Sequence, residues 1–144
     1  MNVSSLERLF HRITEVTTVT DVGFHNMEKG YLIPIYKTQT HALGMERWKA
    51  EHQRNPVYVK DTLILKEIKD KKQPIIINNT KQDPRSANEF FFFGIDSIMI
   101  IPVINQEEVK DIICIVSIGE QHQFTKEEMD ICSKLINECF KNQG

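Results

Sequence analysis

Cysteine is scarce in this chain of 144 residues: there are three, and no two are closely spaced. An odd number without a pair argues against a disulfide framework and against a zinc site of the usual spacing. Positive charge is not in excess either. The net charge is −2, so there is no long-range field to gather nucleic acid or an anionic membrane. No apolar run approaches the length of a membrane span, and the opening Met1-Asn2-Val3-Ser4 lacks the charged-then-apolar form of a secretory signal. The expectation is a cytoplasmic protein with neither nucleic acid nor membrane as partner. Catalytic signatures are missing too. There is no glycine-rich phosphate loop, no GxSxG and no HExxH, and the five histidines His11, His25, His41, His52 and His122 are scattered.

What is present is organised around two β-branched runs, Ile98-Met99-Ile100-Ile101 and Ile112-Ile113-Cys114-Ile115-Val116, joined by the polar turn Asn105-Gln106-Glu107-Glu108. They read as a hairpin. Neither run alternates apolar with polar, so both strands are expected to be covered on both faces, in a three-layer arrangement. Pro102 cannot donate to a ladder and is expected to mark a bulge or the point where its strand leaves regular pairing.

Around this hairpin the chain reads as one domain over residues 1–144, its core about 5–140. Ser4 and Glu7 have capping-box spacing and start a helix over about 5–17, with an apolar stripe at Leu6, Leu9, Phe10, Ile13 and Val16. Residues 18–25 and 31–37 form an antiparallel pair, with Pro34 placing the second strand near an edge. A helix over 40–55 sets His41, Met45, Trp48 and His52 on one face. Its two histidines would lie about 16 Å apart, too far to share an ion. Met45 and Trp48 read as core anchors, or Trp48 as the wall of a ligand site. Residues 57–59 add a short edge strand, and Asp61 or Thr62 caps a helix to residue 72. Residues 74–77 form a brief strand. Asp83 before Pro84 fits an N-cap opening a short helix toward Phe93. Phe90, Phe91, Phe92 and Phe93 cannot share one helix face, so some reach the core while others line a cavity, a partner or water. Finally Thr125 and Glu128 form a capping box, with Phe124 and Met129 as a staple, for a last helix whose stripe includes Cys132, Ile136, Cys139 and Phe140. Cys132 and Cys139 lie on one face about 10 Å apart, too far for a disulfide, and read as inert.

Four stretches follow one another in this order: Lys72-Gln73-Pro74-Ile75, Asp83-Pro84-Arg85, the run from Phe93-Gly94-Ile95-Asp96-Ser97-Ile98 to Ile101-Pro102-Val103, and Phe124-Thr125-Lys126-Glu127-Glu128. Together they are similar to the GAF domain, the small-molecule sensor module of signalling proteins. The resemblance implies an α+β, profilin-like fold: a six-stranded antiparallel sheet of order 3-2-1-6-5-4, terminal helices on one face, and a pocket under short helices and loops on the other. It implies a non-enzymatic sensory domain that binds a small molecule and signals through its terminal helices, either as a free-standing module or as the input part of a larger protein carrying a histidine kinase, a diguanylate cyclase or a transcription regulator. It names no cofactor. The cyclic-nucleotide subtype's Asn-Lys…Phe…Asp-Glu signature is incomplete after Asn79 and Lys81. No cysteine sits where bilin-binding members or free methionine sulfoxide reductases carry theirs. The alternatives are a dimerisation module without ligand and, third, a reductase-type enzyme.

The pocket is expected under the Trp48 helix and the 83–93 segment. Trp48, Phe91, Ser97 and Met99 would line its apolar part, with strand alternation sending Ser97 and Met99 to one face. Asp83 would open a helix N-terminus toward an anionic group, with Arg85 as its clamp or, alternatively, as a surface ion pair. The apolar stripes of the first and last helices suggest a homodimer through them.

Overall fold

The computed structural model describes residues 2–141. Its elements are α1 (Val3–Thr17), β1 (Asp21–Asn26), β2 (Ile33–Lys37), α2 (Met45–Arg54), a 3-10 turn (Val59–Asp61), α3 (Leu63–Lys71), β3 (Ile75–Ile77), α4 (Asn88–Phe92), β4 (Ile95–Asn105), β5 (Glu108–Ile118) and α5 (Lys126–Lys141). The strands form an antiparallel sheet of order β2-β1-β5-β4-β3. This is the expected α+β order with one strand missing. Residues 57–59 do not form a sixth strand. They contribute an isolated bridge between Tyr31 and Tyr58, held by Leu32 N–H donating to the Val57 carbonyl and Val59 N–H to that of Gly30, both at 2.9 Å. The chain turns into its 3-10 segment at Val59, too soon for a ladder.

The β4–β5 hairpin is the centre of the sheet, and its strands are longer than their apolar runs. Gln106 and Glu107 both take positive φ (54° and 66°), the geometry of a two-residue turn matched to strand twist. Pro102 sits in register opposite Ile112, and the irregularity falls one residue later, between Val103 and Ile104. The expected break at the proline is corrected by the neighbouring strand: β3 reaches only Ile100, so Pro102 has a sheet partner on one side and occupies an effective edge. Pro34 lies in β2, which is an edge strand.

Strand alternation divides the core into two. On one face α1 and α5 cover Val22, Phe24, Met99, Ile101, Ile113 and Ile115. On the other, α2, α3 and α4 cover Ile98, Ile100, Ile112 and Val116. The stripes of α1 and α5 are used within the chain: Leu6, Leu9, Phe10, Ile13, Cys132 and Ile136 are all buried. They therefore give no separate support to a homodimer.

Local chemistry explains the ends. The Thr125–Glu128 capping box is present in both directions, at 2.9 and 3.1 Å. At α1 the cap is Asn2 rather than Ser4, its side chain accepting from Ser5 N–H at 2.8 Å. Asparagine caps as well as serine does, and from position 2 it starts the helix at Val3, two residues before the expected start. The helix expected over 40–55 begins only at Met45, because Thr40 is engaged elsewhere: its hydroxyl bonds Asp21 and accepts from Leu43 N–H. Asp83 does not open a helix. Its carboxylate accepts from Arg85 N–H at 2.9 Å in a local turn, and α4 starts after Ala87. Asparagine and aspartate side chains compete with helix in this way.

Candidate functional site

The cavity lies between the sheet and the α2–α4 layer. It measures about 70 Å³, far below the roughly 300–1,000 Å³ of pockets that hold drug-sized ligands. The wall is mostly aliphatic, with Ile98, Ile100, Ile112 and Val116 from the hairpin and Ile64 and Leu65 from α3. β1 differs from its neighbours. Its inward residues on this side are Asp21, Gly23 and His25, while Val22 and Phe24 face the terminal helices.

Gly23 permits a close approach. A Cβ there would sit 3.1 Å from Trp48 Cζ2 and 3.5 Å from His25 Cε1, so the missing side chain is what lets the indole lie against the strand. α2 then delivers two rings one helical turn apart. Trp48 meets His25 edge-on, centroids 5.0 Å apart, and His52 meets His25 with Nε2 atoms 3.2 Å apart. Phe93 closes the cluster against His52 at 5.5 Å. Both histidines are buried, at 4 % and 7 % exposure. Burial drives His25 well below the usual imidazole value, with the neighbouring His52 adding to it. Burial alone takes His52 down to about 4. Both rings are neutral at physiological pH, so one Nε2–H donates to the other's bare Nε2. Neither Nδ1 has a partner.

A second polar group closes one end. Lys37, 2 % exposed, donates from Nζ to Asp21 Oδ1 at 3.0 Å and to the carbonyls of Thr38 and Leu43. Burial lowers its pKa, and Asp21 opposes that shift by hydrogen bond and charge. The ion pair is complete within the protein and fastens β1, β2 and the loop before α2 together. Cys114, on β5, also borders the cavity. Burial pushes its thiol up to about 12, so it carries no thiolate for nucleophilic chemistry. Among the described residues no three histidines, cysteines or carboxylates gather as a metal site.

Of the residues singled out from sequence, Trp48 lines the cavity. Ser97 and Met99 do share a face, as alternation requires, but it is the other one. Met99 is packed with α1 and α5. Ser97, fully buried, donates to the Asn78 carbonyl at 2.8 Å and accepts from His122 N–H at 2.9 Å, tying β4 to the approach to α5. An irregularity in β4 between Ile95 and Ser97 sets this phase, and Ile98 and Ile100 point inward instead. Phe91 is 51 % exposed, whereas Phe90 and Phe93 line the cavity. Asp83 and Arg85 lie elsewhere, bonded to each other at 2.9 and 3.1 Å with Glu67 at 3.3 Å. These carboxylates hold the guanidinium, and the hydrogen bond from the Arg85 side chain draws the Asp83 carboxyl below its ordinary value. The residues missed from sequence are His25, His52 and Gly23. The signal was there: Asp21, Gly23 and His25 alternate with Val22 and Phe24, and His52 is one turn from Trp48.

No model of a protein family matches the sequence, and no curated protein does. Solved structures do match. A GAF domain/HD domain protein from Geobacter sulfurreducens superposes with a TM-score of 0.77 at 11 % identity, covering 94 % of this chain and 87 % of that one. A GAF domain from Synechocystis in its photoproduct state gives 0.76 at 10 % identity, over 97 % and 94 %. The GAF domain of a phosphoenolpyruvate-protein phosphotransferase from Coxiella burnetii gives 0.65 at 15 % identity, over 96 % and 92 %. With the strand order, the two-faced sheet and the paired terminal helices, these likenesses establish that the chain has the fold of a GAF domain.

Proposed function

We propose that this is a non-enzymatic sensory domain that holds a small molecule in the cavity beneath Trp48 and reports its presence through α1 and α5. The observation that carries the reading is the pair of buried histidines bordering a mostly aliphatic cavity, each with an unpartnered ring nitrogen. Buried polar atoms without partners destabilise a fold unless something supplies the missing bonds. The route of the signal is the hairpin. Ile100 and Ile112 touch the cavity, and their strand neighbours Ile101 and Ile113 touch the helical layer, so a shift of either strand is felt on both sides. Catalysis by Cys114 is disfavoured by its raised pKa. Sensory use is also supported by likeness to a GAF domain solved in a photoproduct state, although a cavity of about 70 Å³ is far too small for a large chromophore. No helix among the described residues is long and apolar enough to cross a membrane, in keeping with a cytoplasmic place.

A thermal-shift screen of small metabolites tests this. A ligand at a hundred times its dissociation constant raises stability by about 2.7 kcal/mol. A screen in which no compound raises the melting temperature would sink the reading.

A further inference from the structure

Little fastens α2 to the rest of the protein. Of its ten residues only Trp48 and His52 are buried, one turn apart on one face, whereas the nine-residue α3 buries Ile64, Leu65 and Ile68. Among the described residues its side chains make two polar contacts with other elements. Arg47 donates to the Phe92 carbonyl at 3.3 Å, and His52 meets His25 at 3.2 Å. Trp48 and His52 also line the cavity, so α2 is part of its wall and is held there by one indole and one imidazole.

The imidazole hold depends on protons. In the neutral pair one Nε2–H donates to the other's bare Nε2; with both rings protonated, two N–H groups face each other across 3.2 Å and no bond remains. A single added proton keeps the contact but leaves a charge in a buried cluster. No neighbouring element supplies its counter-ion. On β1, Asp21 is engaged by Lys37 of β2 and by Thr40. On β5, Cys114 is a neutral thiol. On α4, half-buried Glu89 borders the cavity but bonds neither ring. On α2 itself Glu51 is bonded to Arg54 and Asn55, and α3 places only Ile64 and Leu65 at the cavity. Once α2 moves outward, water solvates the rings and His52 titrates near the ordinary 6.5, against about 4 when it is in place. Acid therefore favours the outward position.

We propose that α2 is a lid over the cavity and that the His25–His52 contact is its latch, which acid opens while the sheet and the other long helices stay folded. The lid goes beyond the ligand-site reading, and its test needs no ligand.

The test follows the intact chain by amide hydrogen exchange and by acrylamide quenching of Trp48, the sole tryptophan. Amides of residues 48–52 are expected to exchange faster than those of the hairpin at 98–101 and 112–116. Corrected for the intrinsic rate, their protection is expected to fall about tenfold for each pH unit between about 6.5 and 4. Quenching of Trp48 is expected to rise over the same interval while the hairpin keeps its native amide shifts. His52→Phe keeps a ring without a proton site and is expected to flatten both dependences. Equal protection of residues 48–52 and the hairpin would mean that α2 leaves only when the whole protein unfolds, and the lid falls. Local exchange in wild type that does not change with pH overturns the latch, whether or not the variant folds. A His52→Phe profile identical to that of wild type overturns it too. The ligand-site reading is untouched by these outcomes and stands or falls with the metabolite screen.

Discussion

The two faces of one sheet differ in kind although they are built from alternate residues of the same strands. Toward α1 and α5 the sheet presents Val22, Phe24, Met99, Ile101, Ile113 and Ile115, packed against the buried stripes of the two helices. Toward α2–α4 the hairpin is equally apolar, but β1 contributes Asp21, Gly23 and His25, and the packing stops short of closure. The lesson is that one polar strand, not a general loosening, converts a core into a cavity. β1 holds a carboxylate that recruits a buried lysine, a glycine that admits an indole, and a histidine that meets a second histidine.

Matched truncations test the contrast most severely. Ile113→Ala on the closed face is expected to cost about 4 kcal/mol and Ile100→Ala on the cavity face about 2 kcal/mol, because Ile100 already borders empty space. Chemical denaturation measures both, and equal losses would erase the distinction between the faces.

Acid should act through the cavity face. The unfolded chain takes up protons near pH 6.5 that the folded His52 refuses until about pH 4. The unfolded state thus binds more protons in that window, and stability rises with pH across it. The contribution of His52 is present in full above pH 6.5 and is lost as pH falls through about 4, a change of about 3 kcal/mol. His52→Phe is expected to show a flatter profile than wild type over this range; an unchanged profile would place the acid sensitivity elsewhere.

Gly23→Ala should cost about 1–3 kcal/mol by overpacking, since its new methyl lands 3.1 Å from Trp48. It should also shift the emission of Trp48. A stable variant with unchanged emission would mean that the indole does not rest on β1. The smallest effect is expected outside both faces. Arg85→Ala should cost no more than about 1 kcal/mol and leave the emission of Trp48 unaltered, whereas a shift would restore Arg85 to the site.

Elements with strong local causes were legible from sequence. The Thr125–Glu128 box, the hairpin and the helical stripes depend on neighbours within a few residues, and the structure contains them. Of the pocket residues named from sequence, only Trp48 borders the cavity. Alternation correctly paired Ser97 with Met99, but alternation gives relative phase and not which phase faces which layer, and the irregularity at residue 96 reversed the expected answer. The Asp83–Arg85 turn was read as a helix start because a capping aspartate and a turn-forming aspartate look alike until the arginine is seen returning to its carboxylate.

Sequence by itself determined the succession of helices and strands along the chain, apart from the strand expected over 57–59, the two-sided burial of the hairpin and the capping of the last helix, because periodicity and short-range hydrogen bonding are properties of adjacent residues. Tertiary structure alone decided that His25 and His52, 27 positions apart, meet at 3.2 Å. Their encounter requires β1 to turn its polar face inward, Gly23 to leave room for Trp48, and α2 to pack at the height where its next turn reaches His25. No local pattern encodes a distance that depends on three elements at once.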